Sequence, residues 1–141
     1  MYSSRILLTV VLTISFFALQ ASSARADQWP DAVKKELYVW EQVIPVIPQL
    51  CGNGKKPMDT KPDEAVEITE CITGVVNEKV VPDVVYPDLV TEMRERAMKN
   101  SKLYEKGLIT KEEWVLRGKQ GWDLYMQNLE DRVYKPYVTE E

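Results

Sequence analysis

The chain contains no histidine in 141 residues. Without an imidazole the commonest general base near neutral pH is missing, and so is the partner that most serine and cysteine nucleophiles rely on. Cysteine is almost as scarce, with only Cys51 and Cys71. A zinc site takes about four N, S or O ligands, and two sulfurs with no imidazole make a poor set. The two cysteines also stand too far apart for a C-x-x-C redox motif. Neither G-x-G-x-x-G nor G-x-x-x-x-G-K-[ST] occurs, so no phosphate cradle is visible. The stretch "NGKKPMDTKPDE" lacks the acidic spacing of a calcium loop. No cofactor and no metal are expected.

Long apolar runs are also missing, with one exception. ILLTVVLTISFFAL, Ile6 to Leu19, follows the single early charge of Arg5 and precedes a small-residue stretch ending Ala24-Arg25-Ala26. That order is the build of a secretory signal peptide cut before Asp27. The run is shorter than the roughly 20 residues that a spanning helix needs, so no stable membrane span is expected after cleavage. The expected organisation is a leader over 1–26 and one helical domain over 27–141, with a loose tail from about 136. The expected location is the periplasm or the extracellular space.

Export bears on the cysteines, because two cysteines in a small exported domain usually pair. A bond between Cys51 and Cys71 would tie the end of a first helix to the middle of a second, across a Gly- and Pro-rich loop. Closing such a loop stabilises a fold by about 3 kcal/mol. Charge narrows the partners. The net charge of −4 becomes −6 once Arg5 and Arg25 leave with the leader. An acidic chain of this kind is not expected to bind nucleic acid.

What the chain does have is punctuation. Pro-Asp occurs four times, at Pro30, Pro62, Pro82 and Pro87. Proline suits the first helical position, and aspartate there meets the positive end of the helix dipole. Apolar residues then recur at helical spacing in four segments. The first carries Val33, Leu37, Trp40 and Ile44, and Pro45 and Pro48 end or kink it. The second carries Ala65, Ile68, Ile72, Val75 and Lys79, widened by Val76 and Val80. The third carries Leu89, Met93, Ala97 and Tyr104 with a charged outer face, and Gly107 suits a left-handed C-terminal cap. The fourth opens on the capping box Thr110/Glu113. It places Trp114, Gly118, Gly121, Trp122, Tyr125, Leu129 and Val133 on one face. Two glycines inside a helix cost about 1 kcal/mol each against alanine, and either close approach of another helix or a bend near Gly118 would compensate. Between the second and third segments, Val81 to Tyr86 reads as a stiff extended linker, with enough β-branched residues for a short edge strand. The fold class is all-α: one small domain of about four helices, the last two an antiparallel hairpin, with one disulfide.

Both phenylalanines, Phe16 and Phe17, lie in the leader, so the mature rings are tryptophan and tyrosine alone. Such rings carry a polar atom and suit either core edges or binding surfaces. Trp29, Trp40, Trp114, Trp122 and Tyr125 are the candidate binding surface. No catalytic residue stands out. The carboxylates Glu64, Glu67, Glu70, Glu92, Glu95, Glu112 and Glu113 read as a solvated acidic face. The leading expectation is a non-catalytic exported protein that binds another envelope protein. The alternatives are an inhibitor or immunity-type protein against a secreted effector and a carboxylate-dependent cell-wall hydrolase.

Overall fold

A computed structural model describes residues 29–134. The expected leader over 1–26 and the expected loose tail from about 136 lie outside the described residues. Helix α1 spans Asp31–Val43, with Pro30 ahead of it in an extended conformation, φ −54° and ψ 147°. The Pro30 carbonyl accepts from the Val33 and Lys34 N–H groups at 2.9 and 3.1 Å, which starts the helix. Pro45 and Pro48 remove two donors, and the chain responds with a 3-10 turn at Ile44–Val46 before the short helix α2, Ile47–Cys51. Two further 3-10 turns, Pro57–Asp59 and Pro62–Glu64, lead into α3, Ala65–Lys79. Helix α4 covers Pro87–Glu105 and α5 covers Lys111–Tyr134. All four Pro-Asp pairs therefore stand at the start of a helical element.

The expected disulfide is present, with 5.6 Å between the Cys51 and Cys71 Cα atoms, and it ties the end of α2 to α3. Helices α4 and α5 form the expected antiparallel hairpin. Tyr104, near the end of α4, stacks on Trp114, near the start of α5, at 5.0 Å. At the other end Arg132 of α5 donates to Asp88 of α4 at 2.8 Å. Gly107 makes the reversal with φ 71°. The N–H of Leu108 reaches the Leu103 carbonyl (2.9 Å) and that of Gly107 reaches the Tyr104 carbonyl (3.0 Å), so the last turn of α4 is closed by a Schellman pair. Thr110 Oγ1 accepts from the Glu113 N–H at 3.1 Å. The Glu113 carboxylate accepts from Arg117, one turn further along the helix, at 2.8 Å.

The linker differs from its expectation. Val81–Asp83 tightens into a 3-10 turn closed by the Asp83 N–H on the Val80 carbonyl, 2.9 Å. Among the described residues there is no strand. The reason lies in Val85, whose N–H is drawn inward to the Glu36 carboxylate at 3.0 Å rather than outward to a sheet partner.

The core joins α1, α3, α4 and α5 through residues such as Val33, Val76, Val90 and Leu129. Burying a side chain of this size stabilises by about 1.5–3 kcal/mol before conformational losses. Two stripes sit one position off their expected register. In α1 the buried row is Val33, Glu36, Trp40 and Val43, while Ile44 is exposed. In α3 Ala65, Thr69 and Val76 are buried and Ile68, Ile72 and Val75 lie half-buried beside them.

Candidate functional site

The hydrogen bonds at the centre of the molecule converge on Glu36, which is fully buried. Its Oε1 accepts from the Tyr125 hydroxyl and its Oε2 from the Val85 N–H. The Tyr125 oxygen in turn accepts from Trp40 Nε1 at 3.2 Å. Burial, and then the bond to Glu36, push the Tyr125 phenol well above its usual range, so it stays protonated and donating. The rings themselves pack edge to face. Trp40 lies 5.2 Å from Trp122 and 5.8 Å from Tyr125 between centroids. Each such pair contributes about 0.5–1.5 kcal/mol beyond area burial. A rigid platform results, fixed from α1 and α5 at once.

Above that platform lies a cleft of about 190 Å³, walled by α1, α2, α3, α4 and α5. Trp40 and Trp122 form part of its lining, together with Ile47 of α2, Ile72 and Val76 of α3, and Met93 and Ala97 of α4. Gly118 and Gly121 of α5 also line it. The close helix approach expected for these glycines is absent: a Cβ built on either meets nothing within 4 Å. Their missing side chains leave the cleft open.

Three cations complete the lining, Arg94, Arg96 and Arg117. Arg96 is held by Glu92 at 3.0 Å and Arg117 by Glu113 at 2.8 Å. Arg94 differs. It is half-buried, donates from Nε to Thr73 Oγ1 (3.1 Å) and from Nη2 to the Thr69 carbonyl (3.4 Å), and meets no carboxylate among the described residues. Burial lowers its pKa from the ordinary arginine value, the mark of a cation taken out of water without a counter-charge. It nevertheless stays charged at physiological pH. The Thr73 hydroxyl donates to the same Thr69 carbonyl at 2.8 Å, which fixes the guanidinium from one side.

A second polar knot braces the far end of the cleft wall. The Thr69 and Ser101 hydroxyls meet at 2.6 Å, and Trp114 Nε1 donates to Ser101 Oγ at 3.0 Å. Tyr104 donates to the Thr60 carbonyl at 2.8 Å. Burial, first, and nearby acidic groups raise the Tyr104 pKa.

The five candidate rings are thus placed by the interior. Trp29, Trp40 and Tyr125 are 6%, 3% and 1% exposed, and Trp114 and Trp122 are half-buried in ring contacts. They do not make an outer surface, yet Trp40 and Trp122 meet at the cleft. The candidate acids do not converge. Glu64 pairs with Lys55 at 3.2 Å, Glu92 and Glu113 hold arginines, and Glu67, Glu70, Glu95 and Glu112 are exposed. Among the described residues no group of three acidic, cysteine or histidine side chains is arranged to hold a metal ion, and no helix is long and apolar enough to cross a membrane.

Sequence reasoning missed Glu36 and Arg94. Val33, Glu36, Trp40 and Val43 recur at helical spacing as well as Val33, Leu37, Trp40 and Ile44 do, but a carboxylate on the stripe argues against the first choice. Arg94 carried a usable signal: Arg94, Ala97, Ser101 and Tyr104 share one face of α4 at steps of three and four, a cation above small residues. No protein-family model, curated protein or solved structure matches this chain.

Proposed function

We propose that the protein is an exported, non-catalytic binding protein that engages another exported or envelope protein through the cleft between α1, α3, α4 and α5. One observation carries the reading. Gly118 and Gly121 sit inside a helix, where each costs about 1 kcal/mol, and no neighbouring helix fills the space they leave. A cleft kept open against helix stability, floored by tryptophan and edged by arginine, has the composition of a recognition site. The disulfide and the leader-like N-terminus support an oxidising location.

The test is retention. Immobilised protein is exposed to an extract of exported proteins beside the Gly118→Leu variant, whose side chain would occupy the cleft. Species held by the wild type and lost with the variant support the assignment, and equal retention by both removes it. Release of soluble fragments from purified cell-wall glycan by the wild type would overturn the non-catalytic reading.

A further inference from the structure

The cleft's size and its one unmatched charge restrict what it accepts. Its volume of about 190 Å³ falls below the roughly 300–1,000 Å³ of sites for drug-sized ligands. It is close to an apolar cavity of about 150 Å³, which holds one benzene. One apolar side chain fits; a nucleotide or a long acyl chain does not. Arg94 commits Nε and Nη2 to Thr73 and Thr69, and Nη1 and one Nη2 hydrogen meet no partner among the described residues. Those free donors lie at the end of the guanidinium and match a carboxylate end-on. The rest of the lining is apolar apart from Asn100 and the two arginines already neutralised by Glu92 and Glu113.

Resting on the binding function above, we propose that the cleft takes the carboxyl-terminal residue of a partner protein, its apolar side chain on the Gly118/Gly121 floor and its α-carboxylate on Arg94. The mouth favours a chain end over a free small acid. Ile44, which lines the cleft, is 44% exposed, and Val46 on the same turn is 42% exposed. This apolar surface would pack the penultimate residues of a chain and has nothing to offer a free acid. The local charge agrees too: in a chain of net charge −4, the cleft keeps Arg94 as a cation that no carboxylate among the described residues offsets.

The test uses three probes read by calorimetry and by the fluorescence of Trp40 and Trp122: a hexapeptide ending in phenylalanine with a free carboxyl, the same peptide as its amide, and 3-phenylpropionate. The free-acid peptide is expected to bind about tenfold or more tightly than the amide, because a charge-assisted pair is lost. It should also bind more tightly than 3-phenylpropionate. Arg94→Gln should erase the acid-over-amide preference. Gly118→Leu, at a position with open space, should abolish binding of both peptides while leaving the thermal midpoint unchanged or higher, so a loss there is not a loss of fold. Equal binding of acid and amide, no binding of either, or a preference that survives Arg94→Gln overturns the proposal. Binding of 3-phenylpropionate as tight as the peptide overturns the chain-end source. If these peptide arms fail while Gly118→Leu still loses the retained protein partner, the cleft remains a binding site and only its terminal-carboxylate chemistry falls.

Discussion

Replacing Glu36 by alanine would strand the buried Tyr125 hydroxyl and free the part-buried Val85 N–H from its acceptor. An unpaired buried group costs about 1–3 kcal/mol, and the Val85 N–H, which water can reach, adds less, so a loss of about 2–4 kcal/mol is expected. Glutamine has a single carbonyl oxygen, which can keep the bond from the buried Tyr125 hydroxyl while its NH2 group leaves the part-buried Val85 N–H to water. Glu36→Gln should therefore lose only about 1 kcal/mol. Urea unfolding of both variants, compared at constant slope, measures the difference; equal losses would show that the two donors find other partners. The same residue shows why part of the interior was illegible beforehand. A buried carboxylate is uncommon without a cation, and Glu36 sits in none of the observed ion pairs. It is tolerated because two groups on other elements, the Val85 N–H and the Tyr125 hydroxyl, take it as their acceptor. Only the assembled fold brings Val85 and Tyr125 to it, whereas Trp40 stands one turn further along the same helix.

At the scale of elements, boundaries were more readable than faces. Proline, glycine and Thr110 act through local backbone chemistry, so the starts of α1, α4 and α5 and the reversal at Gly107 follow from neighbours in sequence. The rotation of a helix about its axis depends on what it meets. Helix α3 turns Thr69 inward because the Ser101 hydroxyl and, through it, Trp114 of the hairpin give it a partner, which leaves Ile68 only half-buried. The glycines of α5 were noticed in the sequence for the right reason, their cost, but given the wrong compensation. That cost is measurable. Gly118→Ala puts a methyl group into open space within a continuous helix and should raise stability by about 1 kcal/mol, seen as a higher thermal midpoint. A fall instead would mean that the backbone near Gly118 needs glycine's freedom.

The whole molecule should show an acid limb and an alkaline limb with a plateau between them. The hydrogen bond from Arg132 holds the Asp88 carboxyl below its ordinary 3.8, and the Lys61 backbone N–H holds Glu64 below 4.5. Depressed carboxylates contribute stability above those ordinary values and lose it as the pH falls through their lower folded values. Tyr125 and Tyr104 are raised above 10.0, first by burial. Their contribution is complete below that value and is lost as the pH rises past it. No histidine is present to add a step near pH 6.5. Denaturant unfolding across pH tests each limb: Asp88→Asn should blunt the acid decline, and Tyr125→Phe should blunt the alkaline one. Identical curves for variant and wild type would remove that residue from the account.

The disulfide acts at this scale too. Reduction should lower stability by about 3 kcal/mol, read by unfolding with and without reductant. Its position adds something that the free energy alone does not. Cys51 lies one helical turn beyond Ile47 and Cys71 lies beside Ile72, and both isoleucines line the cleft. The sulfur bridge therefore ties together two elements of the cleft wall as well as two parts of the body. A chain still bathed in glutathione keeps that wall in place by packing alone, and under the proposed binding function its affinity would mature with oxidation rather than with synthesis.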